Sequence, residues 1–310
     1  MKLQNLFGLL IVALGLFVSS CGDDDELQTI ASIAGDTDDL SSLVAALERA
    51  ELTSVLDGDA EFTVFAPTNA AFNAFLEVNG FESLEDVPVD ALTSVLLNHV
   101  VSGTNLSTGL SNGYVPTQST TPISTKNVDM YINIDNGVVI NGQSTVTTAD
   151  VEASNGVVHI VNSVIVPATV TTFATADPTF GTLAAALTRE DSFTFAETLA
   201  GSGEFTVFAP TNGAFGDLLE ELGVGGLNDI DATTLANVLS YHVVAGANVL
   251  STQLTDGQSV SPLFDGADFT ISLSNGAQIN DNAGRTTNII VTDVQAANGV
   301  VHVIDQVLLP

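Results

Sequence analysis

Hydrophobic side chains recur three or four positions apart along parts of this chain, as expected for helices that bury one face. Three such stripes are present: Leu40, Leu43, Val44 and Leu47; Phe72, Phe75 and Leu76; and Leu92, Val95, Leu96 and His99. Asp38 or Asp39 is expected to cap the first helix, and Thr68 or Asn69 the second, because these side chains accept hydrogen bonds from free backbone amides. The pattern therefore predicts three amphipathic helices.

A second pattern, rich in β-branched and aromatic residues, predicts strands. Phe62 to Phe65 form one short strand that Pro67 ends. The segment before residue 167 is rich in Val, Ile and Thr and holds three Asn-Gly pairs, which favour tight hairpin turns. These pairs are Asn136-Gly137, Asn141-Gly142 and Asn155-Gly156. Helices early and strands late predict an α+β fold, with the helices segregated towards the N-terminal half.

The whole arrangement occurs twice. FTVFAPTNAAF at residues 62–72 returns as FTVFAPTNGAF at 205–215, and ten of the eleven positions are identical. NGVVHIVNSVIVP at 155–167 returns as NGVVHVIDQVLLP at 298–310, at the same offset of 143 positions. A shared offset over a unit this long indicates a tandem duplication in which each copy has its own core. We predict domains at 27–168 and 170–310, with a linker too short for independent movement.

Residues 1–20 have the pattern of a secretory signal peptide. Lys2 precedes an apolar run from Leu6 to Val18, which is too short to span a bilayer as a helix. The run ends at Val18-Ser19-Ser20-Cys21, which resembles the bacterial lipobox, so Cys21 is the expected lipid-attachment residue. An ordinary secretory signal with an incidental cysteine is the alternative interpretation.

Residues 21–26 form an acidic tether in this interpretation. The run Gly22-Asp23-Asp24-Asp25-Glu26 resembles the signal that sends some Gram-negative lipoproteins to the outer face of the cell. The alternative is a solvated spacer. We therefore expect a lipid-anchored protein of the outer membrane that faces the cell exterior.

The charge balance and the absence of nucleotide-binding motifs limit the partners expected for this chain. The chain has 37 acidic and 5 basic residues, with a net charge of −32. Nucleic acid is an unsuitable partner, because phosphate binding needs Lys and Arg. No phosphate-binding glycine loop and no dinucleotide fingerprint is present in the sequence, so no cofactor is expected.

The histidines form two repeat pairs. His99 and His242 continue the apolar faces of equivalent helices, and His159 and His302 follow equivalent Asn-Gly pairs. Histidines at such positions are usually hydrogen-bonded core residues, and no Cys, His or carboxylate at ligand spacing accompanies them. We predict packed side chains and no metal site.

Two short motifs suggest chemistry but lack the surrounding pattern. Gly109-Leu110-Ser111-Asn112-Gly113 matches a nucleophile elbow without the strand before it or the helix after it. The acidic runs 36–39 and 57–59 could attract Ca²⁺, but neither continues into a calcium loop closed by Glu. We interpret the first motif as a turn, the others as capping and loop residues, and the chain as a protein without catalytic residues.

The repeated motifs resemble the fasciclin domain family. TVFAPTNAAF, TVFAPTNGAF, Tyr241-His242 with Val243-Val244, and the terminal NGVVHVIDQVLLP carry the resemblance, which covers nearly all of residues 27–310. It implies two tandem fasciclin-like domains, each a compact β-strand wedge with several helices. It also implies cell adhesion or extracellular-matrix binding instead of catalysis.

In animal members of that family the Tyr-His pair is linked to partner recognition, so Tyr241 and His242 are the candidate binding residues. The first copy has Asn98-His99 at the matching position. The expected partner is an extracellular protein or glycan, with the membrane reached through Cys21. A glycan-binding accessory lipoprotein for nutrient capture is the alternative to adhesion.

Overall fold

The computed structural model describes residues 27–190 and 194–310, in which the same order of elements occurs twice. The first domain contains α1 (Ile30–Asp36), α2 (Ser41–Arg49), α3 (Thr53–Leu56), β1 (Phe62–Pro67), α4 (Asn69–Val78), α5 (Val89–Leu97), β2 (Val100–Ser102), β3 (Gly113–Thr120), β4 (Asn127–Asn133), β5 (Val139–Ile140), β6 (Ser144–Ala153) and β7 (Gly156–Val161). The predicted α+β class, with helices early and strands late, is confirmed.

The second domain repeats this order with small changes in length. It contains α6 (Val170–Ala176), α7 (Gly181–Leu187), α8 (Phe195–Ala200), β8 (Phe205–Pro210), α9 (Asn212–Leu222), α10 (Ala232–Tyr241), β9 (Val243–Ala245), β10 (Ser259–Val260), β11 (Phe269–Ser272), β12 (Gln278–Asn280), β13 (Thr286–Ala296) and β14 (Gly299–Ile304). The predicted signal peptide, residues 1–20, and the predicted acidic tether, residues 21–26, lie outside the described residues.

Each sheet contains a strand that has a neighbour on both sides and is buried along its whole length. In the first domain β1 pairs antiparallel with β2 and parallel with β7, and the seven strands close into a barrel. In the second domain β8 is the equivalent strand, paired parallel with β14 and antiparallel with β9, and the strand order is β10-β11-β12-β13-β14-β8-β9. Burial on both faces explains why Phe-Thr-Val-Phe-Ala-Pro is apolar at nearly every position.

The three predicted helices are confirmed as α2, α4 and α5, but one predicted cap is wrong. Thr68 caps α4, because its hydroxyl accepts from the amide of Ala71 at 3.2 Å. Neither Asp38 nor Asp39 caps α2. At the N-terminal end of α2 the acceptor is instead Asn69, whose Oδ1 accepts a hydrogen bond from Ser42 N at 2.8 Å.

The Asn-Gly pairs have two different roles. Asn141 and Gly142 have φ values of 51° and 68°, the left-handed conformation that a tight hairpin turn requires. Asn155 forms the turn between β6 and β7, whereas Gly156 is the first residue of β7. A Cβ atom on Gly156 would lie 1.9 Å from the carbonyl oxygen of Phe62, so this glycine lets β1 and β7 approach.

The two domains share an interface that covers the outer face of β4. Met130 and Ile132 point into the first barrel, whereas the alternate residues Asp129 and Tyr131 are buried against the second domain. Asp129 Oδ2 accepts from Gln295 N at 2.7 Å. Burial of the Asp129 carboxyl group raises its pKa.

Further contacts across the interface join aromatic and polar groups. The ring of Tyr114 lies 5.1 Å from that of Phe173, in an edge-to-face arrangement. The Tyr114 hydroxyl donates to Asp177 Oδ2 at 2.8 Å, and Lys126 Nζ donates to Asp293 O at 2.7 Å. These contacts hold the two domains as a single unit.

Candidate functional site

The candidate histidine of the second domain joins the end of a helix to the C-terminal segment. His242 Nδ1 lies 2.7 Å from Val238 O, and Leu308 N lies 2.9 Å from Nε2. Because the amide of Leu308 must donate, Nε2 is the acceptor and Nδ1 carries the proton. Burial lowers the pKa of His242 to about 4, so the ring is neutral at pH 7.

His99 makes the same two bonds in the first domain. Its Nδ1 lies 2.7 Å from Val95 O and its Nε2 accepts from Ile165 N at 2.8 Å. Burial again lowers the pKa to about 4. The prediction of packed, hydrogen-bonded core histidines is confirmed for both, although each follows its helix instead of lying inside it.

Tyr241, the other half of the candidate pair, is fully buried. Its ring centroid lies 5.7 Å from that of Phe269 and 6.0 Å from that of Phe264. Its hydroxyl donates to Asp268 O at 3.1 Å and accepts from Asn282 N at the same distance. Tyr241 is 0% and His242 3% exposed, so neither side chain faces a partner in this conformation. Their binding role stays a prediction.

The second domain has a loop over Tyr241 that the first domain lacks. Asp281 and Arg285 form its ends and pair at 3.2 Å, and Arg285 also reaches Glu221 at 3.1 Å. Asn98, which replaces Tyr241 in the first domain, instead donates to Ile165 O at 3.0 Å. The change from Asn to Tyr is therefore accommodated by a longer β12–β13 connection.

His159 and His302 fix a second repeated cluster, which the sequence analysis did not identify. The His159 ring lies 5.4 Å from that of Phe65 in a tilted arrangement. Its Nε2 is 2.9 Å from Asn105 O, and its Nδ1 accepts from Asp150 N at 3.1 Å. Asp150 lies in a β-bulge of β6 with φ of 61°. Its carboxylate accepts from the amide and hydroxyl of Ser107.

The equivalent cluster in the second domain has the same connections. Ser251 donates its amide and hydroxyl to Asp293, each at 2.6 Å, and Asp293 N faces His302 Nδ1 at 3.3 Å. Serine, aspartate and histidine are close together, but the serine contacts the carboxylate and not the imidazole. The histidine nitrogens are engaged with backbone groups, so this geometry supplies no base to the serine. The cluster holds a loop against a bulged strand.

The repeated Asn residues are also bound to the backbone. Asn155 Oδ1 accepts from Ile30 N at 2.9 Å, while Nδ2 donates to Leu56 O and Gly58 O at 2.8 Å. Asn298 makes the corresponding three bonds in the second domain. The motifs that identify the repeat are therefore those that position its backbone.

Comparison with known families agrees with this architecture. The pattern of the fasciclin domain matches residues 38–167 and 178–310, which together make up most of the chain. This chain belongs to the fasciclin domain family.

Other fasciclin proteins match one or both domains. Protein sll1483 of Synechocystis is 37% identical over 145 residues, 46% of this chain and 76% of that protein. The transforming growth factor-beta-induced protein ig-h3 of Sus scrofa is 30% identical over 271 residues, 84% of this chain and 36% of its own length. The cell surface glycolipoprotein MPB83 of Mycobacterium bovis is 37% identical over 143 residues, 46% of this chain and 60% of that protein.

The match to ig-h3 thus spans about a third of that protein. Among solved structures, the fasciclin domain pair of the insect cell adhesion molecule fasciclin I matches with a TM-score of 0.50 and 22% identity, over 86% of this chain and 92% of that one. This likeness shows the shared fold.

The remaining sequence candidates lie in ordinary positions of the fasciclin domains. Gly109 ends a short 3₁₀ helix and Gly113 begins β3, so the 109–113 motif is a connection, as predicted. Within 27–190 and 194–310, no group of three or more His, Cys, Asp or Glu is placed to hold a metal ion. None of the helices described there is long and apolar enough to cross a membrane. Cys21 lies outside these ranges.

Proposed function

We propose that this chain is a lipid-anchored adhesion protein that binds an extracellular partner through its pair of fasciclin domains. The observation that carries the proposal is the tandem pair itself, in which the repeated His and Asn residues build each domain and other residues form the shared interface. Such a unit presents a large rigid surface, which suits recognition of a macromolecule better than chemistry on a small substrate.

The relatives support an adhesive role at the cell surface. The fasciclin I protein is named as a cell adhesion molecule, and MPB83 as a cell surface glycolipoprotein. Cys21 follows an apolar run and precedes four acidic residues. We therefore propose anchoring through Cys21 in the outer membrane of a Gram-negative bacterium, with the domains facing outwards.

The anchor is tested by Cys21→Ser in the source bacterium. We expect the variant to leave the membrane fraction, whereas the wild-type chain stays with it and is digested by protease added to intact cells. Ser20→Ala, which keeps the cysteine, is the control. Unchanged membrane fractionation of Cys21→Ser would exclude lipidation at this residue.

The adhesive role is tested by deleting the gene and measuring attachment and biofilm formation. We expect both to fall, and to return with the wild-type chain but not with Cys21→Ser. Normal attachment, aggregation and biofilm in the deletion strain would refute adhesion. A growth defect confined to glycan media would favour the glycan-binding alternative.

A further inference from the structure

The two sheets differ in closure at the junction between the second and third strands of each domain. In the first domain Val101 of β2 pairs with Thr117 of β3, which closes the barrel. In the described part of the second domain, β9 and β10 are the two ends of the sheet and have no ladder between them. The amide of Leu263 reaches Val243 O at 2.6 Å beyond the end of β10.

The sequence explains why this junction is open. Ser261 occupies the place that Thr117 has in the first domain, and Pro262 follows it where the first domain has Gln118. Proline has no amide hydrogen to donate, so Pro262 cannot take the place of Gln118 in a ladder with the neighbouring strand, and β10 ends at Val260. The second domain therefore keeps two short sheet edges side by side.

A cavity of about 240 Å³ lies at this opening. Its apolar lining includes Phe208, Val244 and Leu254, and its polar lining includes Ser259 and Ser261. The first domain also has cavities, of about 190 Å³ beside Phe65 and about 290 Å³ along β2 and β3, but there β2 is already paired with β3. Among the residues described, only the second domain combines a cavity with a strand edge that carries no ladder; Leu263 occupies Val243 O, and Ala245 of β9 is exposed.

The surroundings of the opening are acidic. Asp268 accepts a hydrogen bond from the Ser259 hydroxyl at 2.8 Å, and hydrogen bonds from Ser259 and then Ser261 lower the pKa of Asp268. Asp256 and Asp265 are exposed on the same segment. No Lys or Arg occurs in the sequence between Arg189 and Arg285. A partner with positive charge is favoured here.

We propose that the opening between β9 and β10 binds an extended, basic peptide segment of a partner protein. The segment would pair with the exposed backbone of Ala245 on β9, beyond the Leu263–Val243 bond, place one aliphatic side chain in the cavity against Phe208, and direct a Lys or Arg towards Asp268. Unpaired strand edges supply backbone donors and acceptors for such an added strand, and pockets beside them select side chains. This inference rests on the proposed adhesive role, for which it names the class of partner.

The test uses the full chain as isolated from cells and a capped, fluorescent peptide, Lys-Thr-Val-Thr-Val-Thr-Lys. We expect saturable binding by anisotropy and slower amide exchange in residues 243–245 and 259–261. The same peptide with Glu in place of Lys should bind more weakly. Protection elsewhere, or no binding at millimolar peptide, would overturn the proposal.

Two variants locate the site. Ser261→Trp places a large ring over the cavity from an exposed position and should abolish binding. Asp268→Asn should weaken binding about two- to fivefold, the effect of one exposed ion pair. Glu220→Gln removes one charge from an exposed position on α9 and should leave binding unchanged. Equal affinity of wild type and a correctly folded Ser261→Trp contradicts the proposal.

A modified peptide keeps the test independent of how Ser261→Trp folds. Methylation of alternate backbone amides of the peptide blocks strand pairing but retains the side chains and charge. Unchanged affinity of the methylated peptide would therefore also overturn the proposal. Cells that express Ser261→Trp separate the two hypotheses. If cells with Ser261→Trp attach normally although the variant binds no peptide, the site is not used for adhesion and the adhesive role stands. If the deletion strain attaches normally, the adhesive role itself is rejected.

Discussion

Each of the four histidines is a buried ring that joins two segments of backbone. His99 and His242 hold a helix end against the C-terminal segment, and His159 and His302 hold a loop against a bulged strand. In these positions both ring nitrogens are used, one as donor and one as acceptor. For His99 and His242, a second proton would place a charge in the core and break the bond that the acceptor nitrogen makes.

The stability of the protein should therefore fall as the pH drops from 6.5 towards 4. The folded pKa of about 4 lies below the unfolded value of 6.5, so in this interval the unfolded chain binds the proton and the folded chain does not. The stabilisation that each neutral histidine contributes is fully present above pH 6.5. As the pH falls from 6.5 to 4, the free energy of unfolding decreases by about 1.4 kcal/mol per pH unit for each of His99 and His242.

Urea unfolding followed by circular dichroism at several pH values measures this slope. The carboxylates contribute to it as well, so the comparison is between wild type and His242→Gln. We expect the variant to be less stable at pH 7 but to have a shallower slope between pH 6.5 and 4. Identical slopes would show that His242 does not carry its share of the pH dependence.

Gly156 is the residue with the least space for a side chain. Its φ of 142° and the 1.9 Å approach to Phe62 O predict that Gly156→Ala lowers the free energy of unfolding by about 3 kcal/mol or more, because β1 and β7 must separate. Gly137→Ala is the control, since φ is 93° there and no atom lies within 4 Å of the added Cβ. Similar midpoints in thermal unfolding of the two variants would contradict this explanation.

At the scale of single elements, hydrophobic spacing was sufficient to place α2, α4, α5 and β1, because each buries a continuous apolar face or strand. The short helices α1 and α3 were not predicted, since few positions in them repeat. Their ends depend on side chains far along the chain, as when Asn155 binds Ile30 N and Leu56 O. Asp38 and Asp39 were plausible caps for α2, but Asn69 supplies the acceptor, and a local pattern does not reveal that partner.

Asn155 should therefore contribute more to stability than its place in a turn suggests. Asn155→Ala leaves without a partner one amide of α1, one carbonyl of α3 and one carbonyl of the α3–β1 connection, and we expect a loss of about 3 kcal/mol. Asn136→Ala, in an exposed Asn-Gly pair of the same domain, should change stability by less than about 0.5 kcal/mol. Chemical denaturation of both variants checks the difference, and equal losses would count against the bridging role.

At the scale of the whole molecule, the duplication predicted two domains but not how they meet. Asp129 and Tyr131 alternate with buried apolar residues in β4, a pattern that normally indicates a solvent-exposed face. In the structure that face is covered by the second domain, whereas the equivalent strand β11 alternates between buried and half-buried residues. An interface between domains is formed by residues distant in sequence, so periodicity along one strand does not distinguish it from solvent.

The coupling of the domains should depend on Asp129. Asp129→Ala removes the acceptor for the buried amide of Gln295 and leaves a cavity between β4 and β13, which favours separation of the domains. We expect the single calorimetric transition of the wild type to split into two, and the radius of gyration from small-angle scattering to increase. Glu152→Ala, an exposed change on β6, should alter neither measurement. One unchanged transition together with an unchanged radius would show that the aromatic contacts around Tyr114 hold the domains together without Asp129.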